Sequence, residues 1–170
     1  KFGQDLLSSG QVIRSDPYSY MTGDQVWINH EWLAEGIFAL VYAALGATGL
    51  IVFKLLLALG ICGLAYRYLR SCGLAELRAW ALVVVAGLLL VTGLGNIRPQ
   101  MFTWAFFAVQ LFALMRVENG RSGWLWILPP LFALWPNLHG GFLAGAGILL
   151  IWLLCYGIRL IHATPAGRAA

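Results

Sequence analysis

A short stretch, residues 27–35, holds the side chains of this sequence that are best suited to chemistry. Two of the chain's seven acidic residues, Glu31 and Glu35, lie in it beside His30. A helix would place the two glutamates on one face, because they are four residues apart. Such carboxylates serve as a general base, as metal ligands or as a clamp for a cationic substrate. The alternative is a favourable charge at a helix N-terminus followed by a solvated face. His30 completes no zinc motif, since the second histidine of HExxH is absent.

Two cations are candidates for binding an anion. Arg98 precedes Pro99 at the predicted start of a helix. Its guanidinium would either grip a phosphate through paired hydrogen bonds or extend to the lipid headgroups. Lys54 lies inside an apolar run, where an ionisable side chain is a functional candidate by default. Extension to the headgroup level is the alternative for Lys54 as well.

A second polar turn, residues 137–141, contains His139 followed by Gly140 and Gly141. The two glycines allow another backbone or a ligand to come close. His139 is therefore an acid–base or metal-binding candidate, and the alternative is that it only caps the preceding helix.

The composition is typical of a membrane protein. Of the 170 residues, 61% are hydrophobic and 11% are charged, against roughly 45–50% and 25% in soluble domains. Eight tryptophans and six tyrosines suit a protein that meets two membrane–water interfaces. The net charge of +4 comes mostly from dispersed arginines, so we expect membrane lipids, and no nucleic acid, as partners.

The apolar runs predict an all-α membrane protein. About five transmembrane helices are expected, near residues 50–69, 79–95, 100–115, 124–135 and 142–161. One or two short interfacial helices, near residues 2–7 and 30–45, are expected in an outer juxtamembrane region that precedes them. The predicted organisation is a juxtamembrane region at 1–46, a helical bundle at 47–162 and a loose tail at 163–170.

Four local signals refine these helices. Asn29 is a good N-cap for the helix that begins near residue 30. Glycines at residues 46–49 predict the end of that helix. Pro129 and Pro130 predict a break within the run 124–135, and Pro136 predicts the start of the next turn.

The arginines predict the orientation in the membrane. They fall in three groups along the chain: Arg67, Arg70 and Arg78; Arg116 and Arg121; and Arg159 and Arg168. With five crossings these groups share one side, which the positive-inside rule makes cytoplasmic. Residues 1–46 and the turns at 96–100 and 137–141 then share the other side. A polar site with an acid, a base and a cation can be assembled only there.

Several motifs occur in a set order along the chain. They are Lys1-Phe2-Gly3-Gln4, Ser15-Asp16-Pro17-Tyr18-Ser19-Tyr20, Asn29-His30-Glu31-Trp32-Leu33-Ala34-Glu35, Arg98-Pro99-Gln100 and Trp135-Pro136-Asn137-Leu138-His139-Gly140-Gly141. In this order they resemble bacterial multi-pass membrane proteins related to GT-C-class glycosyltransferases, the relatives of dolichyl-phosphate-mannose–protein mannosyltransferases. The resemblance covers nearly the whole chain. It implies the N-terminal part of a longer protein whose first helix and acidic motif precede Lys1.

The resemblance implies a transferase that uses a polyprenyl-phosphate sugar donor at the outer face of the bacterial cytoplasmic (inner) membrane. The implied catalytic acid–base or metal-binding groups are Glu31, Asp16 and His30. The implied phosphate ligands are Arg98 and Lys54. The implied lining residues are Glu35, Gln100, Asn137 and His139. The metal is left open, and a divalent cation is the candidate cofactor.

A second hypothesis is a non-catalytic transmembrane scaffold subunit of a larger membrane complex. The aromatic-rich helices suit packing against other membrane subunits. In that case a histidine such as His30 or His139 would be buried against a partner.

Overall fold

The computed structural model describes residues 1–15, 17–18, 20, 26, 28–91 and 96–162. The described part of the chain is helical, with one isolated β-bridge between Ser15 and Val26. The helices are α1 Phe2–Ser9, α2 Trp32–Ser71, α3 Glu76–Val91, α4 Gln100–Glu118, a 3₁₀ helix Ser122–Ile127, α5 Leu128–Leu138 and α6 Phe142–His162. The predicted all-α class is confirmed, and so is the short N-terminal helix.

Within the described ranges, three helices, α2, α4 and α6, are long and apolar enough to cross a membrane. Helix α3 has 16 residues and α5 has 11, fewer than the roughly 20 that span a hydrocarbon core. The structure thus agrees with a membrane protein, whereas the predicted count of about five crossings is not confirmed.

Helix α2 consists of two arms because Gly46 interrupts it with φ 62 and ψ −158. A straight helix would separate Phe38 from Phe53 by about 22 Å along its axis, yet their ring centroids are 6.4 Å apart. The chain therefore turns back on itself at Gly46, where a positive φ favours glycine. The predicted break at residues 46–49 is confirmed at Gly46, although Gly49 continues the helix.

The prolines of α5 correct one prediction. Pro129 and Pro130 occupy the first turn of α5 instead of breaking a helix. Proline suits this place because the first N–H groups of a helix have no partner within it. The helix then continues through Pro136 to Leu138, so the predicted turn begins about three residues later than expected.

The second arm of α2 runs parallel to α4. Phe53 lies 6.0 Å from Phe102 near the start of α4, and the guanidinium of Arg67 lies 5.5 Å from the ring of Phe112 near its end. Helix α3 runs back along this arm, since Trp80 in its first turns stacks on Tyr66.

One end of the bundle gathers the starts of α2 and α4 and the end of α5. Ala34, Met101, Phe102 and Leu138 are buried together there. Gly141, just before α6, also lies there, because a Cβ on it would be 2.5 Å from the Thr103 methyl group. We call this the polar end, since the candidate residues Glu31 and His139 belong to it.

The opposite end carries the arginines. Arg67 and Arg116 both lie over the ring of Phe112. Arg159 pairs with Glu118 through hydrogen bonds of 2.7 and 2.6 Å. Phe112 follows Phe102 by ten residues and Glu118 follows it by sixteen, so these arginines lie about 15–24 Å along α4 from the polar end.

Candidate functional site

The centre of the candidate site is the carboxylate of Glu31, at the start of α2. Its Oε1 lies 3.7 Å from His139 Nε2 and 3.8 Å from His30 Nε2. These are ion-pair distances, longer than a direct hydrogen bond. The Glu31 and His139 side chains are 31% and 27% exposed, whereas His30 is 61% exposed. The neighbours His30 and Glu31 and the distant residue His139, all three predicted as site residues, therefore meet at the polar end.

A hydrogen bond between side chains joins the two segments that carry this pair. The indole N–H of Trp32 donates to Asn137 Oδ1 at 3.0 Å. Asn137 in turn donates from Nδ2 to the carbonyl of Ala133, one turn earlier in α5. Asn137 was predicted to line the site, and its place is to hold the start of α2 against the end of α5.

Glu35 has different partners from Glu31. The Asn29 side chain is buried between them, accepting from the Glu31 N–H at 3.1 Å and donating to Glu35 Oε2 at 2.6 Å. The prediction that Asn29 is the N-cap is wrong: α2 begins at Trp32, its N-cap is Glu31, and no side chain caps it. The two carboxylates thus take part in different contacts, Glu31 with the histidines and Glu35 with Asn29.

A buried network holds the other side of the His139 ring. His139 Nδ1 lies 2.9 Å from Thr103 Oγ1 and accepts from the Gly141 N–H at 3.0 Å. Thr103 Oγ1 also accepts from the Trp135 indole N–H at 3.0 Å. Thr103 and Trp135 were not predicted as site residues. The available signal was that a hydroxyl and an indole N–H in apolar runs need a partner when buried.

The predicted phosphate ligands, Arg98 and Lys54, are sequence neighbours of residues that pack at the polar end. Arg98 and Gln100 are exposed at the start of α4, and in the described part of the chain neither bonds to Glu31 or His139. Ile97, next to Arg98, packs on the core of the polar end. Lys54 lines an apolar cavity of about 300 Å³ between α2, α3 and α4.

The remaining predictions for the site concern Asp16 and a divalent cation. Asp16 lies outside the described residues. Within the ranges that are described, no three histidine, cysteine or acidic side chains are arranged to hold a metal ion. The candidate divalent cation therefore has no preformed site among these residues.

Comparisons with protein-family models, with curated proteins and with solved structures find no match to this chain. In a partly exposed pair of a carboxylate and an imidazole, the carboxylate can accept a proton from a bound group while the imidazole hydrogen-bonds to the same group.

Proposed function

We propose that this chain is part of a membrane glycosyltransferase-like protein of the GT-C type. The sugar would come from a polyprenyl-phosphate donor at the outer face of the bacterial inner membrane. The observation that carries the proposal is the Glu31–His139 pair, 3.7 Å apart and partly exposed at one end of an apolar helical bundle. Catalytic carboxylates need this combination of access and a polar neighbour.

In the proposed reaction the acceptor hydroxyl attacks the anomeric carbon of the donor sugar. The new carbon–oxygen bond forms as the bond to the lipid phosphate breaks, and the phosphate leaves with the electron pair. Glu31 takes the proton of the attacking hydroxyl. A general base of this kind accelerates a reaction by about 10²–10⁴-fold.

Arg98 and Lys54 are the proposed ligands of the leaving phosphate. Support comes from their positions: Arg98 follows Ile97, which packs on the core of the polar end, and Lys54 lies one residue from Phe53, whose ring contacts Phe102 there. Cations placed where negative charge develops stabilise the transition state.

The proposed orientation puts residues 1–46 on the non-cytoplasmic side. Its support is the separation of Glu31 from Arg67, Arg116 and Arg159, which lie toward the other end of the bundle. By the positive-inside rule that arginine-bearing end faces the cytoplasm. Helices α3 and α5 would complete five crossings together with the segments that adjoin them.

The test is the transfer rate of the full-length protein carrying Glu31→Gln or Arg98→Gln. We expect release of polyprenyl phosphate from its sugar-loaded form to fall at least 100-fold in E31Q, as for loss of a general base. Glu76→Gln and Arg78→Gln, at the other end of the bundle, are the charge-matched controls. Wild-type rates in both E31Q and R98Q, at equal amounts in the membrane, would refute the proposal and favour the scaffold hypothesis.

A further inference from the structure

We infer that Thr103 is a positioning residue that holds His139 as the Nε2–H tautomer, so that the ring presents an N–H and not a lone pair to Glu31. The tautomer follows from the hydrogen bonds alone. Its role in transfer rests on the proposed function.

The Thr103 hydroxyl has one hydrogen to donate and two lone pairs that can accept. An indole N–H can only donate, so Thr103 Oγ1 accepts from Trp135 at 3.0 Å. The hydroxyl hydrogen is then available for His139 Nδ1, 2.9 Å away. In this arrangement Thr103 accepts a hydrogen bond from the buried indole and donates one to the imidazole.

His139 Nδ1 has two hydrogen-bond partners, the Thr103 hydroxyl and a backbone N–H. The Gly141 backbone N–H also points at this atom, at 3.0 Å, and a backbone N–H can only donate. Nδ1 therefore accepts and carries no proton. A neutral imidazole keeps its single N–H on the other nitrogen, and that nitrogen, Nε2, is the one 3.7 Å from Glu31 Oε1.

Close packing holds the side chains of this network in place. Trp135 is fully buried and Thr103 is 7% exposed. Gly141 and Gly145, one turn apart, face them: a Cβ on Gly141 would lie 2.5 Å from Thr103 Cγ2, and one on Gly145 would lie 2.5 Å from Trp135 Cζ3. Close approach of α6 thus holds the donors against Nδ1.

The consequence is a division of roles between Glu31 and His139. While Nδ1 accepts hydrogen bonds, Nε2 carries the proton and so has no lone pair with which to take another proton or bind a metal. A histidine that bound a metal through Nε2 would instead donate an N–H from Nδ1. Glu31 is left as the proton acceptor. His139 donates a hydrogen bond to an oxygen of the bound substrate and so orients it.

The tautomer can be measured by ¹⁵N NMR of the full-length protein in detergent with ¹⁵N-labelled histidine. This chain contributes three histidines, and the His139 signals are those that disappear in His139→Gln. At about pH 8.5, above the ordinary range of histidine, we expect the one-bond proton coupling on Nε2. A coupling on Nδ1 in the wild-type protein would overturn the inference.

Two variants connect the tautomer to Thr103. Thr103→Ser keeps the hydroxyl and should keep the wild-type spectrum. Thr103→Val removes it at nearly the same volume, and the ratio of Nδ1–H to Nε2–H should rise about fivefold, the factor that one neutral hydrogen bond provides. An unchanged ratio in T103V would refute the role of Thr103. The wild-type and T103S spectra decide the tautomer even if T103V does not fold.

Transfer activity separates this inference from the proposed function. A kcat that is reduced in T103V but equal to wild type in T103S would support the positioning role of Thr103 in catalysis. If E31Q transfers sugar normally while the His139 proton is on Nε2, the proposed function fails and the tautomer assignment stands. If the proton is on Nδ1 and E31Q is inactive, only the inference about Thr103 fails.

Discussion

Replacing Gly141 with alanine should destabilise the polar end far more than the same change one residue earlier. A Cβ on Gly141 would lie 2.5 Å from Thr103 Cγ2 and 3.0 Å from Thr103 Cβ. Ordinary carbon–carbon contacts are about 3.5–4.0 Å, so α6 and Thr103 must separate by about 1 Å. A Cβ on Gly140 meets nothing within 4 Å, which makes Gly140→Ala the matched control.

The expected size follows from what that shift disrupts. Thr103 Oγ1 takes part in bonds of 2.9 Å to His139 and 3.0 Å to Trp135. A movement of about 1 Å stretches both beyond hydrogen-bond range, at about 0.5–1.5 kcal/mol each. Overpacking adds about 1–3 kcal/mol. The predicted loss in G141A is about 2–6 kcal/mol of the free energy of unfolding, whereas G140A should change it by less than about 0.5 kcal/mol.

The assay is reversible unfolding in mixed micelles with increasing denaturing detergent, followed by tryptophan fluorescence. Trp135, one of the eight tryptophans, contributes to this signal from a fully buried site where it is bonded to Thr103. Equal unfolding midpoints for G141A and G140A would show that α6 does not approach Thr103 this closely. The packing argument for the His139 network would then fail as well.

Two predictions concern the docking of α1. In Gly3→Ala the new Cβ would lie 2.6 Å from the carbonyl carbon of Glu35, so α1 should detach and its amides exchange faster than in the exposed control Gln4→Ala; equal exchange in the two would contradict this packing. The hydrogen bond from the Tyr18 hydroxyl lowers the pKa of Asp5. The stabilisation that this hydrogen bond gives to the docked α1 is therefore present above the unfolded Asp5 pKa of about 4, and it is lost as the pH falls through the folded pKa. The protection factors of the α1 amides, which correct each exchange rate for its intrinsic pH dependence, should fall at low pH, and in D5N they should be low at every pH; a wild-type pH dependence of these factors in D5N would exclude this role.

The helix positions were largely predictable because they follow from local physics. Long apolar runs and the glycines at 46–49 sufficed to separate the two arms of α2. The error at Pro129 and Pro130 shows the limit of such rules, since a proline pair marks a helix start as readily as a helix break. The number of crossings depends on depth in the bilayer, which helix length alone does not determine.

The site was predictable only in part. Glu31 and His139 were placed on one side by the arginines, through reasoning about topology and not about contacts. Thr103 and Trp135 were not identified, because their roles depend on which faces of α4 and α5 meet. That choice is made by the packing of α6 through Gly141 and Gly145, and periodicity in a uniformly apolar run carries little information about it.

The bond between Trp32 and Asn137 joins residues 105 positions apart. At a synthesis rate of about 5–20 residues per second, the start of α2 waits roughly 5–20 s for its partner after it leaves the ribosome. During this interval Glu31 lacks His139, so the polar end completes its assembly only after α5 has followed α2 into the membrane. The contact between Trp32 and Asn137 therefore forms late in synthesis, and the network around His139 is complete only when Gly145 of α6 lies against Trp135.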